Sequence, residues 1–259
     1  MAEKALGFVG GGRVARFILG GLRRAGRLPQ TVVVSDIDAG ALDRLRACVP
    51  DVTAALGDNS RAAAQDIVFI AVHPPAVTAV LAEIKPYLRV EAVLVSLAPQ
   101  VSIARISECL GGFGRIVRAI PNAPSVVNSG YNPLCYSEAL GEADRAEVNR
   151  LFSVLGECPE VPEDALEAYA VLTAMGPTYL WFQIQELQEI GESFGLTSGE
   201  AATAVQKMVE GAARTMYESG LPPEEVMDLV PVKPLADQEE SIREAYRSKL
   251  SAAFARLRG

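Results

Sequence analysis

The stretch Gly7-Phe8-Val9-Gly10-Gly11-Gly12-Arg13-Val14-Ala15 decides how the whole chain is read. It closes a short apolar run, Ala5 to Val9, and opens a helical pattern. Within it Gly10, Gly12 and Ala15 fit G-x-G-x-x-A. Gly10 permits a tight turn, Gly12 lets the main chain come close to a pyrophosphate, and Ala15 keeps helix and strand close together. The helix that Arg13 and Val14 begin presents unpaired N–H groups and a positive dipole end to the phosphates. A second apolar run, Thr31 to Ser35, leads into Asp36, where an acidic residue holds adenosine ribose hydroxyls. This order predicts a Rossmann domain that binds a nicotinamide dinucleotide. The Asp36 carboxylate repels a 2′-phosphate and so favours NAD, with Arg13 or Arg61 as the cations that would compensate. The alternative role for Asp36 is to cap a turn with Asp38.

Outward from this motif, strand-like runs alternate with helical stretches: Ile67 to Val72, Ala92 to Leu97 and Arg115 to Ala119. That alternation is the mark of a parallel sheet covered by helices. Two weaker runs follow, Asn132 to Tyr136 and Glu157 to Val161, on either side of a helical pattern from Gly141 to Leu155. After Pro162 the strands stop and four helices are expected. The first runs from Asp164 to Phe194 with apolar residues on several faces. The second begins after Thr197, whose Thr-Ser-Gly-Glu is a capping box. A short third follows Pro222, and the last covers Asp237 to Arg256. The fold class is therefore an α/β Rossmann N-terminal domain, residues 1–161, followed by an all-α C-terminal domain, residues 162–259.

Composition narrows the partners. The 259 residues are 49% hydrophobic and 22% charged, with no uniformly apolar span of membrane length. The opening residues carry no signal-peptide pattern, which leads to the expectation of a cytoplasmic protein. A net charge of -8 with scattered arginines argues against nucleic acid and for a small-molecule substrate. Cys48, Cys109, Cys135 and Cys158 lack metal-ligand or disulfide spacing and read as small buried apolar residues.

Three further stretches, with the glycine motif, resemble the pyrroline-5-carboxylate reductases. Asp66-Ile67-Val68-Phe69-Ile70-Ala71-Val72-His73-Pro74 resembles that family's D-x-x-x-x-A-V-K-P strand end beside the cofactor. Arg118-Ala119-Ile120-Pro121-Asn122-Ala123-Pro124 is similar to its R-x-M-P-N-T-P loop near the nicotinamide. Thr173-Ala174-Met175-Gly176-Pro177-Thr178-Tyr179 is similar to its S-G-S-G-P-A-Y segment. The resemblance implies an NAD(P)H-dependent reduction of a C=N bond, the last step of proline synthesis, by a homodimer joined through the helical domain. It also implies that Asn59 lies near the adenosine, that Ala71, Val72, His73 and Pro74 flank the cofactor, and that Gly176 and Pro177 border the substrate.

Departures from the family set the remaining candidates. Where the family has S-P-G-G-T-T, thought to hold the substrate carboxylate and imine nitrogen, this chain reads Pro231-Val232-Lys233-Pro234-Leu235-Ala236-Asp237. Lys233 is the candidate point charge for a carboxylate, against an ordinary solvated lysine. Asn122 is the candidate amide for the nicotinamide or substrate, against an ordinary turn between prolines. Thr173 would offer its hydroxyl to the substrate nitrogen, or else bond back to a carbonyl four residues earlier. His73, the only histidine, takes the place of the family's lysine and is not expected to act as an acid. No lysine lies between Lys85 and Lys207, which disfavours a β-hydroxyacid dehydrogenase with a lysine acid/base. The competing readings are a reductase of another small carboxylic acid and a dinucleotide-binding sensor without catalysis.

Overall fold

The computed structural model describes residues 3–258. In chain order the first elements are β1 (Leu6–Val9), α1 (Arg13–Arg24), β2 (Val32–Asp36), α2 (Ala39–Cys48), β3 (Thr53–Leu56), α3 (Asn59–Ala63), β4 (Ile67–Ile70), α4 (Pro74–Ile84), β5 (Val93–Ser96), α5 (Ile103–Cys109) and β6 (Ile116–Ala119). Then come β7 (Gly130–Tyr131), β8 (Leu134–Tyr136), α6 (Glu142–Ser153) and β9 (Gly156–Glu157). Among the described residues one sheet has the order β3-β2-β1-β4-β5-β6-β8. All its pairings are parallel except β6 with β8. The part from β3 to β6 has the strand order of a dinucleotide-binding sheet that reverses direction between β1 and β4.

Alternation along the central strands explains the two layers. Leu6, Phe8, Val32, Val34, Ile67 and Phe69 point to one face, where α1 and α6 supply Ile18, Leu22, Val148 and Phe152. Val9, Val33, Val68, Ile70 and Leu94 point to the other, against Val77, Leu81 and Ile84 of α4. Phe8 and Phe69, in register on adjacent strands, stack at 4.3 Å. No described helix is long and apolar enough to cross a membrane.

Several sequence expectations change. β3 lay unseen because Thr53-Ala54-Ala55-Leu56 has little β-branched character and forms the half-exposed edge of the sheet. His73 therefore follows the fourth strand, not the third. The run expected over Glu157 to Val161 shortens to β9, paired with β7, and an isolated bridge from Leu134 to Glu160. Of the four cysteines only Cys135 is buried, and Cys48 at the end of α2 is exposed.

The single long helix expected from Asp164 to Phe194 is broken into pieces. A 3-10 turn (Glu163–Ala165), α7 (Leu166–Tyr169) and a π-helix (Ala170–Ala174) precede α8 (Pro177–Ser193). Pro177 has no N–H to extend the preceding turn, so it starts a new helix instead. Next are α9 (Ser198–Glu218), with the expected Thr197–Glu200 capping box, α10 (Pro223–Asp228) and α11 (Glu239–Arg258).

Residues through Met175, joined by the chain from Phe254, form one compact unit, and Gly176–Ala253 form the second. The strands end near Pro162, but the contacts divide later. The reason is that Glu163 and Glu167 both pair with the buried Arg118 of β6, at 3.0 and 2.6 Å. In the second unit α8 and α9 pack where Gly191 meets Ala201, and Tyr179 of α8 meets Tyr246 of α11 edge-on.

α3 crosses β1 so closely that a Cβ on Gly7 would overlap the Ala62 carbonyl oxygen. Backbone atoms cannot step aside as a flexible side chain does. Gly7→Ala is therefore expected to lower stability by about 3 kcal/mol, read as an earlier midpoint in urea unfolding.

Candidate active site

The glycine turn is laced to its neighbours by the main chain. The Gly10 N–H donates to Ser35 O and the Ala71 N–H donates to Val9 O, each at 2.8 Å. Gly10 has φ +108°, and a Cβ there would stand 2.6 Å from Ala71 O. Gly12 differs: it is the N-cap of α1, no side chain caps that helix end, and nothing lies within 4 Å of the place a Cβ would occupy. An open cradle before uncapped helical N–H groups fits the pyrophosphate of a dinucleotide. Of the two residues that begin α1, Arg13 is exposed and Val14 packs against the core.

Asp36 caps the turn with Asp38, the alternative role read for it, and also fastens the glycine turn. One carboxylate oxygen accepts from the Gly11 N–H at 2.7 Å, inside the cradle, and the other accepts from the Asp38 N–H at 2.9 Å. Next to it, Ser35 Oγ donates to Asn59 Oδ1 and Asn59 Nδ2 donates to Glu83 Oε2. Asn59 thus stands beside the Asp36 strand end. Neither Arg13 nor Arg61 makes an ion pair among the described residues. At the end of β4, Ala71 and Val72 are partly buried against the two core layers, His73 is the N-cap of α4, and Pro74 is its first residue.

At the β6 end of the same sheet edge, Asn122 is 7% exposed and its amide is a cross-brace. Its Oδ1 accepts from the Tyr131 N–H at 3.0 Å, and its Nδ2 donates to Thr173 O at 3.3 Å. This is more than a turn between prolines: Asn122 joins the loop after β6 to the π-helix. The Thr173 hydroxyl donates to Tyr169 O at 2.8 Å, the back-bond allowed for in the sequence, so its proton is spent and its lone pairs remain. Tyr131 and Tyr169 were not singled out from the sequence, where isolated tyrosines in β7 and α7 carry no motif. Their rings lie 6.1 Å apart. Partial burial, with Tyr169 beside it, holds the Tyr131 hydroxyl above its ordinary pKa.

The remaining candidates lie in the second unit. Gly176 is helical and Pro177 opens α8. Lys233 lies 3.9 Å from Asp228 and, with Leu221, Met227 and Arg243, lines a surface cleft of about 730 Å³. The loop around it turns on itself, with Ala236 N–H donating to Lys233 O and Gln238 N–H donating to Leu235 O.

A Rossmann sheet with a glycine cradle, followed by helices, defines a dinucleotide-dependent oxidoreductase. Residues 5–100 match the family model described as NADP oxidoreductase, coenzyme F420-dependent, and residues 163–257 match pyrroline-5-carboxylate reductase dimerisation. A pyrroline-5-carboxylate reductase of Corynebacterium melassecola is 31% identical over 254 residues, covering 96% of this chain and 92% of that protein. The Escherichia coli enzyme of the same name is 29% identical and covers 88% and 85%. Among solved structures, a Coxiella burnetii pyrroline-5-carboxylate reductase superposes with a TM-score of 0.73 at 30% identity, over 99% of this chain and 98% of that one. The Plasmodium falciparum pyrroline carboxylate reductase with NADP bound gives 0.84 at 22% identity, over 100% and 98%. The chain belongs to the pyrroline-5-carboxylate reductase family.

Because the space at Gly12 is open, a side chain there is expected to obstruct a dinucleotide seated in the cradle and not the fold. Gly12→Val should unfold within about 1 kcal/mol of the parent yet lose dinucleotide binding about 100-fold or more, measured by calorimetric titration with NADH. Unaltered affinity would place the pyrophosphate elsewhere.

Proposed function

We propose that the chain reduces pyrroline-5-carboxylate to proline with NAD(P)H, with residues 1–161 as the dinucleotide domain and 162–259 as the helical domain. Family membership over nearly the whole chain carries this reading, and the open cradle at Gly12 supports it. When bound, the reduced nicotinamide supplies a hydride to the imine carbon. Gly10, Gly12, Arg13 and Val14 hold the pyrophosphate, Asp36 and Asn59 the adenosine ribose, and Ala71 to Pro74 the middle of the dinucleotide. Asn122 and Thr173 border the reacting atoms, Gly176 and Pro177 the substrate, and Lys233 attracts its carboxylate. An iminium carbon is already electrophilic, so positioning counts for more than strong acid catalysis. The four free cysteines agree with a cytoplasmic setting.

One observation favours the alternatives, a reductase of another small carboxylic acid or a sensor without catalysis. Residues 231–237 contain two prolines and spend part of their N–H groups within the loop, a poor nest for a carboxylate. Oxidation of NADH and NADPH with pyrroline-5-carboxylate, other cyclic imines and keto acids separates the three. The proposal expects turnover of pyrroline-5-carboxylate; tight cofactor binding with no turnover of any of them supports the sensor.

NADH is the favoured cofactor, because the Asp36 carboxylate is fastened at the ribose end and faces no fixed cation. Asp36→Asn keeps an acceptor for the Gly11 N–H and removes the charge. It should lower KM for NADPH about 10-fold, with a much smaller change for NADH. An unchanged ratio would show that Asp36 serves only the turn.

A homodimer is proposed from the match to a dimerisation domain and from α8 and its C-cap, where Trp181, Phe182 and the capping Phe194 are 52%, 66% and 82% exposed. Sedimentation in dilute solution should give twice the chain mass, and Phe182→Asp combined with Trp181→Asp should give the mass of one chain. A monomeric parent would remove the shared-interface reading.

A further inference from the structure

The half-buried Asn59 is held by two partners of different chemistry. Its Oδ1 accepts from the Ser35 hydroxyl at 2.7 Å, and its Nδ2 donates to Glu83 Oε2 at 3.0 Å. The first partner is fastened to the glycine turn: the Gly10 N–H donates to Ser35 O at 2.8 Å, and the next residue, Asp36, accepts from the Gly11 N–H. Asn59 opens α3 shortly after β3, whose last residue, Leu56, is in register with Asp36. It therefore stands one hydrogen bond from the strand end that carries the cradle. One N–H of its amide and one lone pair of its Oδ1 remain, a donor and an acceptor of the kind that ribose hydroxyls use.

The two contacts differ in what they demand. Ser35 Oγ lies 2.7 Å from Asn59 Oδ1 and 3.3 Å from Phe8 O, and it has a single proton to give. With the amide turned over, that proton would go to Phe8 O and the hydroxyl oxygen would accept from Asn59. Ser35 thus fits either orientation. A carboxylate only accepts, so Glu83 is satisfied by the Asn59 N–H and repelled by Oδ1. Of the two partners, Glu83 is the one that selects the orientation of the amide.

Glu83 itself stays clear of the ligand edge. α4 starts at Pro74, just past the end of β4, and its 11 residues run roughly 16 Å back along the sheet toward the start of β5. Glu83 lies in the last turn and reaches Asn59 from there. Resting on the reading that Asn59 meets the adenosine ribose, we propose that Glu83 is a positioning residue for the dinucleotide. It fixes the Asn59 amide in the one orientation that turns its remaining N–H and lone pair to the ribose hydroxyls. Asp36 acts at the ribose end by its own charge; Glu83 acts through Asn59.

The test is a double-mutant cycle on Asn59 and Glu83 in the full chain, read as the dissociation constant for NADH by calorimetric titration. Asn59→Ala should weaken binding about 10-fold and Glu83→Ala about 5-fold. The double variant should lose no more than Asn59→Ala alone, because Glu83 then has nothing to orient. Glu83→Gln, which can still accept, should stay within about 2-fold of the parent. Glu83→Lys, which only donates, should lose at least as much as Glu83→Ala, whereas a charge acting through space would tighten the hold on a pyrophosphate. Glu83 is exposed, so the urea midpoint of each Glu83 variant should match the parent. Unchanged NADH affinity in Glu83→Ala, losses that multiply in the double variant, tighter binding by Glu83→Lys, or a lowered midpoint that accompanies the lost affinity overturns the proposal. Unchanged affinity in Asn59→Ala fails instead the placement of Asn59 at the ribose, and the role of Glu83 falls with it.

Discussion

The guanidinium of Arg118 is the charge on which the arrangement of the β6 end depends. At 3% exposure it would be costly unpaired, and its two carboxylate partners both come from the short helical segment that follows the last strands. Removing one partner of such a buried pair costs about 3–5 kcal/mol, because the other is left uncompensated. The carboxylates also serve the loop after β5: Glu167 accepts from the Gln100 N–H and Glu163 from the Ile103 N–H. Gln100 is held at φ +73°, a conformation its side chain does not favour. One cation thereby ties together β6, the β5 loop and α7, and α7 leads directly into the π-helix that carries Thr173.

That tie gives the sheet edge two differently built halves. Around Gly10, Gly12 and Asp36 the working groups are main-chain N–H and a carboxylate, placed by close strand packing and by space left empty. Around Asn122 the polar groups are a side-chain amide and a hydroxyl, each bonded to main-chain atoms of neighbouring segments. The first half suits a ligand made of phosphates and ribose. The second offers neutral hydrogen-bonding groups, which suit the uncharged part of a ligand. A π-helix at Ala170–Ala174 is consistent with this, since such turns shift the register of a helix and re-aim the groups that follow.

Legibility in the sequence followed the same division. The glycine turn, Asp36 and the five central strands were readable because each rests on a local rule: a positive φ, a helix end, or an apolar run of strand length. β3 was not, since an edge strand built from alanine and threonine needs no run. The break in the helix after Glu163 was hidden because the apolar spacing continues through it, and only Gly176-Pro177 hinted at an interruption. Tyr131 and Tyr169 were illegible for a different reason. They are 38 positions apart, 169 − 131, and meet only because Arg118 brings α7 back to the sheet. A resemblance to a family directs attention to matching positions, so residues that only this chain's packing brings together escape it.

The loop at 231–237 shows how far the family likeness extends. A main-chain nest binds a carboxylate by several aligned N–H groups and needs residues that let the backbone crowd together. Pro231 and Pro234 each remove a donor, and the turn hydrogen bond from Ala236 to Lys233 uses another. A lysine in such a loop attracts an anion without fixing its orientation, and Lys233 already has Asp228 3.9 Å away. Recognition by a solvated point charge discriminates weakly between carboxylates of different shape.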